Sequence, residues 1–186
     1  MENIRVTKRD GSKELINLDK IHQVLDWAVE GLDNVSISQI EMKSSIQFYD
    51  GITTDDIHET LVKTAADLIS EATPNYQYVA SRLALFRLRK VVYGGIQPTK
   101  LFKHIKQLTK KGIYDKHILE DYTKSEIDNL CNYINHERDM NFAYAGFKQL
   151  EGKYLVQNRT TGEVFETPQM LYMLVAMCLF SKYKDN

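Results

Sequence analysis

The sequence predicts a mainly α protein with a small β component (α+β), and three observations carry that expectation. Helical apolar periodicity, punctuated by capping residues, recurs along most of the 186 residues. Alternating residues flank an Asp-Gly dipeptide near the N-terminus, the signature of a β-hairpin. The final apolar run, residues 170–180, is apolar almost all round, as a core helix is. Its 11 residues fall well short of the roughly 20 that span a bilayer, so no membrane partner is expected.

Each element follows from local chemistry. Ile4 and Val6, then Ile16 and Leu18, alternate with polar residues on either side of Lys8-Arg9-Asp10-Gly11-Ser12-Lys13. Glycine accepts positive φ without steric penalty, which makes Asp10-Gly11 the turn. Asp19 is the expected N-cap of a first helix with Ile21, Val24, Leu25 and Ala28 on one face, closed by Gly31. Ser38 with Glu41 predicts a capping box for a second helix running to about Tyr49. Thr53-x-x-Asp56 opens a third, striped by Ile57, Leu61, Ala65 and Leu68 and ended by Pro74. A fourth, about residues 75–93, is apolar on two sides and is stopped by Gly94-Gly95.

Gly94-Gly95 and Gln97-Pro98 mark the expected domain boundary, giving 1–95 and 96–186. Beyond it come a basic helix with Leu101, Ile105 and Leu108, stopped at Gly112, and a helix begun by Thr123-x-x-Glu126. A short helix is expected over 141–150, and a second hairpin from Tyr154 to Glu166 turning at residues 159–162. Pro168 suits the first position of the last helix. That helix is covered either by residues 101–166 or by another chain, the second being the favoured reading.

Composition excludes several function classes. With 43% hydrophobic and 26% charged residues the chain is globular rather than disordered. Cys131 and Cys178 form no CxxC pair, and the N-terminus has no signal-peptide core, so a soluble cytosolic protein is expected. No phosphate loop, GxGxxG, GxSxG or HExxH is present, and the five histidines share no metal-ligand spacing. No catalytic or metal-ligating residue is therefore assigned. Net charge is −1, yet residues 10–80 hold 13 acids against 4 Lys or Arg, and residues 81–116 hold 10 Lys or Arg against one acid. Such a switch implies an anionic partner or packing of one segment on the other, or simply a solvated basic helix face.

A binding constellation is present. Lys8 and Arg9 precede the hairpin tip, Glu14 and Asn17 follow it, and Lys20 lies in the first turn of the next helix. Thr54 and His58, four apart, share a face at the start of the third helix, whose free amides attract anions. Lys90 ends the fourth. Cations suit phosphates, and a carboxylate or amide accepts from an exocyclic amine, so the set suits a nucleoside triphosphate. Each residue taken singly also reads as an ordinary surface side chain.

The stretches Val6-Thr-Lys-Arg-Asp-Gly-Ser, Ile16-Asn-Leu-Asp-Lys-Ile, Tyr49-Asp-Gly-Ile-Thr-Thr and Arg82-Leu-Ala-Leu-Phe-Arg-Leu-Arg-Lys resemble the ATP-cone, the allosteric domain of ribonucleotide reductase large subunits. Leu119-Glu-Asp-Tyr-Thr, Arg138-Asp-Met-Asn-Phe, Gln149-Leu-Glu-Gly-Lys-Tyr-Leu-Val-Gln-Asn-Arg and residues 170–180 extend the resemblance to the start of a class Ia catalytic α subunit. The resemblance implies a β-sheet cap on a four-helix bundle, followed by a helical region with a hairpin. It implies ATP and dATP as effectors, with Mg2+, and no redox cofactor in this chain. Lys8, Arg9, Glu14, Asn17, Lys20, Thr54, His58 and Lys90 match positions around the nucleotide. Val6, Ile16 and Ile21 match contacts to the base, and Trp27 and Phe86 match positions that support a second nucleotide in some members. Gln23 and Arg87 stand where relatives often carry Arg and His.

The family's catalytic cysteines lie in a barrel beyond residue 186, so the resemblance implies the N-terminal portion alone, from a split or truncated subunit. Its implied partners are a C-terminal barrel fragment, the small radical-generating β subunit and a second cone, in the cytoplasm, or a host's if phage-encoded. The alternatives are a nucleotide-sensing DNA-binding regulator and a non-binding assembly scaffold. No specific nucleic acid is expected.

Overall fold

The Asp10-Gly11 turn closes a short antiparallel hairpin of β1 (Arg5–Thr7) and β2 (Lys13–Leu15), in register Val6 with Glu14. A computed structural model describes residues 4–183. Gly11 takes φ +82°, and the Asp10 carboxylate accepts from both the amide and the hydroxyl of Ser12 (2.9 and 2.6 Å), an Asx-type turn. Leu18, expected on the returning strand, instead opens the first helix.

Among the described residues the chain is mainly helical, with this one two-stranded sheet. Helices α1 (Leu18–Val29), α2 (Ile37–Ser45), α3 (Thr54–Asp67) and α4 (Tyr76–Tyr93) follow the hairpin. Two caps differ from expectation. Asn17, not Asp19, caps α1 by accepting from the amide of Lys20 (3.0 Å). Ser36, not Ser38, caps α2, accepting from Gln39, and α2 ends at Ser45 rather than near Tyr49. In both places two capping residues stand two apart, so local chemistry allows either start. Thr53 caps α3 as expected, its hydroxyl accepting from the Asp56 amide (3.0 Å).

Then come α5 (Leu101–Lys110), α6 (His117–Asp121), α7 (Lys124–Cys131), α8 (Tyr144–Gln149) and α9 (Pro168–Phe180). The capping box of Thr123 and Glu126 forms on α7. The second hairpin forms in shortened form: residues Leu150–Tyr154 wind into a π-turn, and beyond them the amides of Asn158 and Phe165 donate to Glu163 O (2.8 Å) and Val156 O (2.9 Å) around an antiparallel Gln157–Val164 bridge. Side chains add to this short ladder. The Gln157 amide donates to the carbonyls of Glu151 and Gly152, and the amide of Val156 donates to Glu166.

The residues fall into two compact units, Met1–Arg87 with Met140–Lys148 and Leu88–Asp139 with Gln149–Asn186, the division falling within α4. The first is built around Leu25, Ile40, Leu61, Ala65, Tyr76 and Leu83. Arg82 ties it together, donating to the carbonyls of Ala28 (3.1 Å), Glu30 (2.7 Å) and Met140 (3.1 Å). It thereby supplies the cation that the C-terminus of α1 lacks in its own last turn. The second unit closes over Leu101, Ile105, Ile127, Met170, Leu174 and Met177. One face of α9 is thus buried within its own unit, while Tyr172, Val175, Leu179 and Phe180 remain exposed. No helix among the described residues is long and apolar enough to cross a membrane.

Candidate functional site

The segment after α2 returns to the hairpin and sets the start of α3 beside it. Gly51 donates its amide to Arg5 O (2.8 Å), Thr7 donates to Ile52 O (2.9 Å), and Thr7 and Thr53 form a parallel bridge. Because Thr53 is the α3 cap, this pairing holds the exposed N-terminal amides of α3 next to the hairpin turn. The local sequence explains the geometry: glycine at position 51 takes φ +88°, which lets the chain leave α2 and run alongside β1.

Charged side chains gather there. Lys8 and Lys20 both reach Glu14, at 2.5 and 3.5 Å. The hydrogen bond to Glu14 is the main reason the Lys8 ammonium is held above its ordinary pKa, and the same bond holds Glu14 below the usual carboxylate range. Arg9 meets Asp55 at 3.4 Å, and Arg87 from α4 grips the same carboxylate at 2.6 and 3.2 Å. Burial alone would raise the Asp55 pKa, but the two guanidinium groups outweigh it and hold the carboxyl low.

The structure brings Lys8, Arg9, Glu14, Lys20 and the first turn of α3 into one neighbourhood. Thr54 is exposed at the first position of α3. Asn17 acts as the α1 cap rather than as a strand residue. His58 is buried, 6% exposed, and its Nε2 lies 2.8 Å from the carbonyl of Leu83, so that nitrogen carries the proton. Lys90 lies in the last turn of α4 and belongs to the second compact unit. Trp27 and Phe86 meet edge to face with centroids 6.5 Å apart, Trp27 partly exposed and Phe86 buried.

Between α1 and α2 opens a cleft of about 510 Å³ whose wall includes Leu18, Ile21, His22, Glu41, Met42 and Phe48. His22 Nδ1 spans its mouth to Glu41 at 2.7 Å, a contact that raises the imidazole pKa. Two features escape sequence reasoning. Phe48, beyond the end of α2, lines the cleft with Ile21, and Asp55 reads locally as an ordinary first-turn acid.

Two families match separate segments of the chain. The ATP cone domain family matches residues 4–91, and the ribonucleotide reductase all-alpha domain family matches residues 140–186. Over 182 residues, 98% of this chain, the sequence is 63% identical to ribonucleoside-diphosphate reductase 1 subunit alpha of Escherichia coli (strain K12). The chain is similar to the N-terminal part of ribonucleoside-diphosphate reductase α subunits. It is 59% identical to the reductase subunit alpha of Haemophilus influenzae over 98% of this chain, and 44% identical to that of Enterobacteria phage T4 over 96%. It spans about a quarter of the length of these reductase subunits, 24% in each case. The match is to the N-terminal part of an oxidoreductase subunit, without its catalytic region.

Proposed function

We propose that this chain is the allosteric, effector-binding component at the N-terminus of a ribonucleoside-diphosphate reductase α subunit, taking ATP as activator and dATP as inhibitor. The supporting observation is the gathering of Lys8, Arg9 and Lys20 beside the N-terminal turn of α3, inside the segment that matches the ATP cone family. Lysine ammoniums and an arginine fork neutralise a triphosphate, and the α3 amides add a positive dipole end. The base lies against Ile21 in the cleft between α1 and α2, with Val6 and Ile16 beneath the hairpin and Glu14 accepting from the exocyclic amine. Thr54 offers a hydroxyl from the exposed first turn, and His58 backs that turn from the core. Among the described residues no cluster of three or more His, Cys, Asp or Glu side chains is arranged to hold a metal. Mg2+ is carried on the phosphates, as it usually is with nucleotides. Trp27, the exposed member of its edge-to-face pair with Phe86, is the surface offered to a second nucleotide.

Making deoxyribonucleotides then requires the remainder of the α subunit, with its cysteine-bearing barrel, and the small radical-generating subunit. Self-association through the cone is the route by which effector binding reaches assembly. The working compartment is the cytoplasm.

Calorimetry of the chain with ATP and dATP tests the proposal. Saturable heat for both nucleotides below about 1 mM is expected, with Lys8→Ala weakening each roughly tenfold, about 1.4 kcal/mol. Absence of binding leaves the assembly scaffold. Tight, sequence-selective DNA binding in place of nucleotide binding would establish the regulator instead. Co-expression with the barrel-bearing remainder is expected to yield reductase activity that neither part gives alone.

A further inference from the structure

Arg9 in the hairpin loop and Arg87 on α4 are 78 positions apart in sequence, yet their guanidinium groups converge on one carboxylate. Arg87 donates from NH2 to Asp55 Oδ2 (2.6 Å) and from Nε to Oδ1 (3.2 Å), a two-point fork, and Arg9 NH2 reaches Oδ1 at 3.4 Å. All three side chains are about one-third to one-half exposed, so solvent and solutes reach them. Asp55 also stands in the first turn of α3, where the helix dipole favours a negative charge.

A carboxylate and a phosphate make the same geometric demand on a guanidinium: two oxygens set to receive two parallel N–H groups. Both also favour the same end of a helix. We infer that Asp55 is a built-in competitor for the phosphate chain of the effector: it occupies the Arg87 fork, the Arg9 guanidinium and the α3 N-terminus that phosphate oxygens would otherwise use. Nucleotide entry is then an exchange, in which the two arginines release Asp55 and take phosphate. Glu14 acts on Lys8 and Lys20 in the same sense, but an ammonium is a point charge and shares itself among oxygens more readily than a planar fork does. Asp55 therefore sets the effector concentration at which the site fills. The inference rests on the nucleotide-site reading above and goes beyond it by assigning a residue that opposes binding.

The experiment is calorimetry on the full chain, wild type against Asp55→Asn and Asp55→Ser, with three probes: ATP, inorganic tripolyphosphate and adenosine. Removing the charge should tighten ATP and tripolyphosphate roughly three- to tenfold and leave adenosine unchanged. In an Arg87→Gln background the gain from Asp55→Asn should shrink, because the fork it releases is gone. Serine is well tolerated in a first helical turn, so the Asp55→Ser variant keeps the test alive if Asp55→Asn fails to melt cooperatively. Wild type binding ATP while both Asp55 variants bind it equally or more weakly would overturn the inference and leave the nucleotide site standing. An equal gain for adenosine would also overturn it, since a loosened structure and not a freed phosphate site would explain that. If neither wild type nor variants bind ATP, the nucleotide reading fails and the competitor falls with it.

Discussion

Tyr76 stands at the start of α4, 1% exposed, with a hydroxyl that both receives and gives a proton. It accepts from the amide of Ser36 (2.9 Å) and donates to Gln39 Oε1 (3.0 Å), so one side chain fixes the start of α2. Tyr76→Phe keeps the packing and strands the Ser36 amide, for an expected loss of about 1–3 kcal/mol in urea denaturation. His104 shows a different residue-scale effect. Burial first, then the nearby His136, pushes its pKa down to about 4. Its Nε2 lies 3.1 Å from the Tyr114 hydroxyl, which in turn donates to Glu166 at 2.5 Å. Between about pH 4 and the ordinary histidine value near 6.5, the unfolded chain binds a proton that the folded chain refuses. Its contribution to stability thus rises with pH across that window and is level above it, by up to about 1.4 kcal/mol per pH unit. Burial raises Asp139 to about 6 and raises Glu166, and both carboxyls run the opposite way, losing stability as pH rises. The readout is therefore a difference: wild type minus His104→Gln stability should grow from pH 4 to 6.5 and then stay flat.

Helix starts show how far local chemistry reaches. Thr53 and Thr123 are the caps the sequence names, each with an acid three residues on. The starts of α1 and α2 offer two candidates each, and the chain takes the earlier one. For α2 the deciding contact is tertiary, the Tyr76 hydroxyl on the Ser36 amide. Ser36→Ala should cost about 1 kcal/mol in thermal or urea unfolding, whereas Ser38→Ala should stay within about 0.5 kcal/mol. Equal effects would restore Ser38 as the cap. The 154–166 hairpin is shorter than its alternation suggests for an equally concrete reason. Its alternation and its turn with Gly162 are present, but Arg159 and Gln157 bond the carbonyls of the π-turn, and Glu166 turns inward to Tyr114 and Val156. Side-chain partners at its outer end leave only the Val156–Asn158 and Glu163–Phe165 arms to pair through their backbones.

The charge switch along the chain resolves into separate uses rather than one basic surface. Arg82 serves backbone carbonyls, Arg87 grips Asp55, and Arg89 lies buried beside Asp139 and the His136 carbonyl. The lysines of α5 are left to carry the solvated basic character. On α9 a continuous exposed apolar strip, Tyr172, Val175, Leu179 and Phe180, is larger than an isolated surface residue explains. Under the proposed function the remainder of the α subunit covers it. Val175→Ser with Leu179→Ser should retain the far-ultraviolet spectrum of the chain, yet cut reconstituted reductase activity at least tenfold. Full activity in that variant would place the partner elsewhere. The sequence by itself determined the hairpin turn, the caps at Thr53 and Thr123, the helical periodicities and the cluster of cations near the first turn. These depend on hydrogen bonds and φ values within a few residues, which composition and spacing express directly. Only the tertiary structure decided which face of α9 is buried, that Ser36 starts α2, and that Asp55 meets Arg87. A helix apolar all round carries no preferred face, and a pairing across 32 positions depends on which helix faces meet, a choice no local pattern encodes.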